Sequence, residues 1–305
     1  MKKNISRKAF LSATVAGLAA IKLIPQTLRS GGTGLFRQRN IGKTGIKVSP
    51  VCFGATRTNE ESLIRYVIEK GINYLDTGRS YANGKNEMLV GRAISGIRNR
   101  VVIQSKLKLD KHELPSWGND RKAAGEIRSV LSGKLEASLR ALNTDYIDIL
   151  LYHGASDEEL LFHPEVMKFF DGMKSSGVIK AHGFSAHNDS MNLPERNNRE
   201  LFYDVLMVPF NHKGSLVHSI TGEYSEWDHN RLISILSEAA KKGTGVIAMK
   251  TCSGDKYTPS AGIEASYSEA VRWVISQPFV SSAAVAMANF DQVNEHITML
   301  GNSKF

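Results

Sequence analysis

The chain has 305 residues, of which 42% are hydrophobic and 23% charged, proportions that exclude a disordered chain and suit a protein with a sizeable core. Its net charge of +9 invites a nucleic-acid partner, but Lys2, Lys3, Arg7, Lys8, Lys22 and Arg29 concentrate most of it in residues 1–30, which carry no acid, and no basic–aromatic run forms a groove elsewhere. Two cysteines, Cys52 and Cys252, provide neither a disulfide framework nor a metal-ligand spacing.

Residues 1–30 open with "MKKNISRKAFLSATVAGLAAIKLIP", a basic start and then an apolar run from Phe10 to Ile21 that Lys22 and Pro25 interrupt. The run is about half the ~20 residues a membrane-spanning helix needs, and its build is that of a signal-peptide core. "SRKAFL" resembles the twin-arginine export motif, with Lys8 at the place of the second arginine. Delivery to the periplasm or cell envelope through the export machinery is the expectation, with an amphipathic helix on a cytoplasmic protein as the alternative. Residues 31–47 are Gly-rich and then read as a linker and a hairpin around "GKTG", covering the N-terminal end of the larger domain. That tetrapeptide lacks the spacing of a phosphate-binding loop.

From Val48 to the C-terminus, β-rich runs alternate with amphipathic ones. Strands are predicted at Val48–Phe53, Ile72–Thr77, Val101–Lys106, Ile147–His153, Lys180–Ser185, Val205–Asn211, Gly245–Thr251 and Val280–Met287. Helices are predicted at Glu60–Lys70, Glu87–Ile94, Ala123–Leu142, Pro164–Ser176, Pro194–Phe202, Arg231–Lys242, Tyr267–Gln277 and Asp291–Leu300. Gly71, Gly177 and Gly243 stand where left-handed helix caps belong. Eight strand–helix repeats without a break in composition predict one (β/α)₈ barrel, a TIM barrel, over residues 48–305. A doubly wound sheet is disfavoured because no Gly-x-Gly-x-x-Gly comes after the first strand.

Barrel enzymes keep their chemistry at the C-terminal ends of the strands. Reading those ends gives Asp76, then Tyr81 in the loop after it, Lys106 and His153. Each alone has a structural explanation: a turn cap, a packed ring, a solvated strand end, a core imidazole. As a group they suit the protonation of an oxygen. A nearby ammonium favours a phenolate, so Lys106 is expected to lower the pKa of Tyr81, with Asp76 pairing the lysine. A histidine beside the phenol can donate to a carbonyl oxygen as charge grows there.

The phrases "GKTGIKVSPVCFG", "GINYLDTGRSYANGKNEMLVGRAI", "VVIQSK", "LEASLRALNTDYIDILLYHG", "GFSAHN", "GVIAMKT" and "RWVISQPFVSSAAVAMANFDQVNEHI" resemble the aldo-keto reductase family from about Ile41 to His296. The resemblance implies reduction of an aldehyde or ketone, or the reverse oxidation, with NADP or NAD. It implies Tyr81 as proton donor, Lys106 as its partner, Asp76 as the partner of the lysine, and His153 as the group orienting the carbonyl. It places the nucleotide near Ala55, Thr56, Ser185, Met207, Met249, Lys250, Thr251, Ala286, Met287, Gln292 and Glu295. Several positions in and beside this set depart from the family pattern. Ala186 replaces an asparagine, Met207 a glutamine, and Met249 a stacking tyrosine; Ala288 replaces the arginine for a 2′-phosphate, and His296 an asparagine near adenine. Weakened selectivity for NADP is the expected consequence.

The expected partner is a small carbonyl or alcohol substrate. Two other readings stay open at this point: a barrel that binds a nucleotide as a sensor or subunit, and an exported sugar-modifying enzyme with a non-exchanging nicotinamide. Trp117, in "HELPSWGNDRKAAG" after the third strand, is placed either at the substrate mouth or in surface packing.

Overall fold

The computed structural model describes residues 36–187, 191–217, 222–260 and 262–302; the signal-like segment lies outside them. Eight parallel strands close into a barrel: β1 (Val51–Gly54), β2 (Tyr74–Asp76), β3 (Val102–Leu107), β4 (Ile147–Ala155), β5 (Ile179–Ala186), β6 (Val205–Pro209), β7 (Gly245–Met249) and β8 (Ser282–Ala286). Neighbours in sequence are neighbours in the sheet, and β8 returns to pair with β1. The intervening helices are α1 (Glu61–Glu69), α2 (Lys85–Ala93), α3 (Asp120–Leu142), α4 (Pro164–Ser175), α5 (Asn192–Glu200), α6 (His229–Lys242), α7 (Tyr267–Ile275) and α8 (Phe290–Gly301). The (β/α)₈ expectation holds.

Two apolar cores result from the two periodicities. The helices present stripes, such as Leu63, Ile64, Val67 and Ile68 on α1, to outward residues of the strands, such as Phe53, Leu75 and Ile103. Every second strand residue faces the axis instead, so Cys52, Tyr74, Val102, Ile149, Leu151, Ala181, Val205, Met207, Ile247 and Met249 pack inside the barrel.

The predicted strand Val48–Phe53 is two strands. Lys47–Val48 pairs with Arg39–Asn40 as an antiparallel hairpin, and the barrel strand begins only at Val51. Pro50, between them, has no N–H to give a ladder. The hairpin lies across the N-terminal end of the barrel, where Ile41, Ile46 and Val48 bury against the interior residues. Lys43 N–H donates to Gly243 O at 2.8 Å. Gly42 has φ +48°, and a Cβ there would collide with Gly243 O, so glycine is what lets the hairpin seat this closely.

Two strands stop two residues short of their predicted ends. β6 ends at Pro209 rather than Asn211. β7 ends at Met249 because Lys250 takes φ +57°, outside the extended region. The loop after β6 also holds a small hairpin, Ser215–Val217 with Tyr224–Glu226, where the sequence pattern predicts no strands.

Candidate active site

Strand alternation turns Asp76, at the end of β2, to the same interior face as Tyr74, and Lys106 on β3 to the same face as Gln104. The parallel register sets Asp76 opposite Gln104. Lys106 is 1% exposed and yet ionisable, so its ammonium needs partners inside the protein. It has three: the Asp76 carboxylate, Thr77 O at 2.8 Å, and Tyr81 Oη at 3.1 Å.

Tyr81 reaches Lys106 because the loop after β2 is tied to the backbone of β3. Thr77 N–H donates to Gln104 O, Arg79 N–H donates to Lys106 O, and Tyr81 N–H donates back to Gly78 O. The loop then reverses through Ala82 and Asn83, both left-handed, and Gly84 at φ +82°. The positive φ favours glycine at 84, and a Cβ there would displace the Arg79 guanidinium. Arg79 Nη1 in turn pairs with the fully buried Glu87 carboxylate at 2.7 Å, whose other oxygen accepts from Ser105 Oγ at 2.6 Å. This ion pair clamps the catalytic-side loop to α2.

His153 sits edge-on to Tyr81, with ring centroids 5.5 Å apart, and its Nδ1 lies 3.1 Å from Ser80 Oγ. Burial, and then the charges of Lys106, His187 and Lys108, push its pKa down to about 3, so the ring is neutral at physiological pH. If Ser80 Oγ donates to Nδ1, the proton stands on Nε2, the tautomer suited to donating onward.

The electrostatics correct one expectation. Burial is the largest influence on Tyr81 and raises its pKa; Lys106 pulls the other way and only offsets part of the rise. The phenol therefore stays protonated across the neutral range, as a proton donor should. Burial also opposes the Lys106 charge, but Asp76 and Tyr81 outweigh it and hold the ammonium above its ordinary range.

The nucleotide-side candidates divide. Ser185 is buried at the end of β5, where its Oγ accepts from Gly154 N–H at 2.9 Å. Met207 and Met249 belong to the barrel interior, and the Met207 sulfur accepts from Gln104 Nε2 at 3.3 Å. Thr56, Ala286 and Gln292 are exposed, Lys250 is half-buried, and Thr251 is buried beside Cys252. Met287 and Ala55 do not face the site with their side chains: both are fully buried in the outer core between strands and helices, so only their backbones are available. Glu295 accepts from Ser268 N–H at the start of α7, and Gln292 Oε1 accepts from Ala288 N–H. His296 is buried on α8 and donates from Nδ1 to Gln292 O at 2.8 Å. Trp117, half-buried, packs on His163 and under Lys111.

Five contributors escape the strand-end pattern: Tyr74, Ser80, Arg79, Gln104 and Arg57. Tyr74 and Gln104 lie two residues before Asp76 and Lys106, so the period of two already places them on the shared face. Arg57, exposed after β1, lies near enough to Lys250 that its charge, together with burial, lowers the lysine pKa.

The profile described as the aldo/keto reductase family matches residues 53–267. The chain belongs to the aldo/keto reductase family. An oxidoreductase of Bacillus subtilis is 31% identical over 157 residues, 49% of this chain and 49% of that protein, so the match spans about half the length of this curated relative. The fold resembles that of an aldo-keto reductase from Bacillus halodurans in its holo form, with a TM-score of 0.68 at 19% identity over 88% of this chain and 92% of that one. An aldo/keto reductase from Klebsiella pneumoniae, solved with NADP and acetate, aligns at a TM-score of 0.62 and 22% identity, covering 86% of this chain and 89% of that one.

Proposed function

We propose that the protein reduces an aldehyde or ketone to an alcohol, or runs the reverse oxidation, with a nicotinamide nucleotide as redox partner. The observation that carries this is the Tyr81 phenol 3.1 Å from a buried Lys106 ammonium that Asp76 pairs from behind. A barrel that only binds a nucleotide has no use for such a buried ion pair aimed at a phenol. A nicotinamide nucleotide, when bound, would supply the hydride that the carbonyl carbon needs. The carbonyl oxygen takes the Tyr81 proton, Lys106 stabilises the phenolate left behind, and a proton from solvent restores the phenol. The neutral His153 ring serves as a hydrogen-bond donor that orients the carbonyl oxygen. Purified protein supplied with a generic aldehyde and either reduced nucleotide should consume the nicotinamide absorbance; no consumption across a broad aldehyde and ketone panel would overturn the proposal.

Two basic residues near the ends of β1 and β7, Arg57 and Lys250, support a place for an anionic dinucleotide. Burial, and then the charge of Arg57, lower the Lys250 pKa, and a phosphate group beside the two would offset both effects. Ala288 is exposed and brings no charge to that end. We therefore expect both nucleotides to bind, with NADPH preferred less than about a hundredfold. Arg57→Ala should weaken both by roughly tenfold, about 1.4 kcal/mol for a lost charge-assisted contact. Equilibrium titrations measure both quantities, and an unchanged affinity in Arg57→Ala removes that residue from the site.

From the sequence of residues 1–30 we also propose delivery of the folded barrel to the cell envelope. Its basic start, short apolar core and "SRKAFL" support this reading. Fractionation of the native host is expected to find the protein outside the cytoplasm; full-length protein confined to the soluble cytoplasm rejects the export proposal.

A further inference from the structure

A polar chain runs down the barrel axis beneath Asp76, and the proton transfer described above does not use it. Tyr74 Oη donates to Gln104 Oε1 at 2.6 Å. Gln104 Nε2 donates to Asp76 Oδ1 at 2.7 Å, the same oxygen that receives Lys106 Nζ. The amide nitrogen also contacts the Met207 sulfur at 3.3 Å. Tyr74 and Gln104 are both fully buried.

This arrangement is directional. Burial pushes the Tyr74 pKa well up, with further rises from Cys52, Asp76 and Asp148, so the hydroxyl keeps its proton and acts as a donor. A donor at Oε1 fixes the amide orientation, and Nε2 must then face Asp76. Every hydrogen-bonding atom of the Gln104 side chain has a partner, as an amide buried among Cys52, Val102, Ile149 and Met207 requires. The chain is also a dead end. Below Tyr74 lie Ile41, Ile46 and Val48 of the covering hairpin, so it carries no proton to solvent. What it does is hold one carboxylate oxygen in place.

We propose that Gln104, locked by Tyr74, is a positioning residue of the reductase site. It fixes Asp76 Oδ1 under Lys106, and thereby keeps Lys106 Nζ within reach of Tyr81. The inference rests on the proposed carbonyl reduction and adds to it a third layer, from Tyr74 through Gln104 to the Asp76–Lys106 pair.

Three variants test it, each assayed for kcat, KM for nucleotide and carbonyl, the pH profile of kcat, and melting temperature. Gln104→Met keeps the approximate shape and removes the donor; kcat should fall at least about tenfold while nucleotide KM changes little, since small misplacements of a reacting group cost up to roughly a hundredfold. Its alkaline limb should move to higher pH, because the Lys106 charge that holds the Tyr81 pKa down is less well placed. Gln104→Glu also keeps the shape but offers Asp76 an acceptor. It should lose as much activity near neutrality and regain part of it on acidification, as a protonated carboxyl again donates. Tyr74→Phe is the mildest change, and should cost roughly three- to tenfold in kcat, the worth of one neutral hydrogen bond. Wild-type kcat and pH profile in Gln104→Met overturn the proposal. So does a loss in all three variants that merely tracks the fraction of folded protein, or a Gln104→Glu enzyme with no acid rescue. If Tyr81→Phe is inactive while Gln104→Met is unaffected, the positioning role fails and the reductase reading stands; if Tyr81→Phe is fully active, the reductase mechanism itself fails.

Discussion

Tyr81→Phe should reduce carbonyl turnover by about 10²–10⁴-fold, the range expected for loss of a positioned general acid. The substitution removes one hydroxyl and almost no volume, and the ring keeps its edge-on contact with His153. Lys106 loses one of three partners but keeps Asp76 and Thr77 O, so the ammonium stays compensated and the fold should hold. Nucleotide affinity should survive, because most of the candidate nucleotide residues lie on β5 to β8 and the segments after them. Single-turnover kinetics with saturating nucleotide separates the two effects. A variant that retains most of the rate with unchanged nucleotide affinity shows that some other group delivers the proton.

Asp76→Asn should be the costlier change for the fold. Removing one partner of a buried ion pair typically costs about 3–5 kcal/mol, because the remaining charge has no solvent and no counter-ion. For a chain of this size that corresponds to a fall of roughly 10 °C in melting temperature. The pH dependence should also change sign. In the wild type the folded pKa of Lys106 lies above its ordinary value, so the stabilisation from pairing is fully present below about pH 10.4 and is lost only at higher pH. Without Asp76, burial is left to dominate and depresses that pKa. The folded variant then binds fewer protons than the unfolded chain, and its stability should rise with pH from neutrality toward about pH 10.4. Melting curves from neutral to mildly alkaline pH measure this. A flat profile together with a loss under about 1 kcal/mol shows that Asp76 does not pair Lys106 in solution.

The fold is legible in the sequence because each barrel strand is short, apolar and punctuated, and because strand and helix periods alternate eight times. The errors at its edges have local causes. Pro50 divides what reads as one β run, and Lys250 leaves the strand through a left-handed conformation that no apolar pattern announces. The identities of Asp76, Tyr81, Lys106 and His153 come from strand ends and family phrases, but their mutual distances depend on a loop stitched to β3 by backbone hydrogen bonds. Side-chain type carries little information about such bonds. Gln104 is readable in principle: a lone amide in "VVIQSK", one period below Lys106, faces the axis. At the nucleotide end the sequence is a weaker guide. Whether Glu295 or His296 is free for a ligand depends on what α7 and the first turn of α8 offer them: one Glu295 oxygen and His296 Nδ1 are engaged within the protein, while the buried His296 Nε2 has no partner among the described residues.

The hairpin that seats Ile41, Ile46 and Val48 under the strands has a kinetic corollary. It covers one end of a barrel whose axis is already filled with side chains, so among the described residues the strand-end site is approached from the opposite end. On the proposed reduction, two reactants would share that approach to Tyr81. Whichever lay deeper against the strand ends would arrive first and depart last, a queue whose order product-inhibition patterns would read.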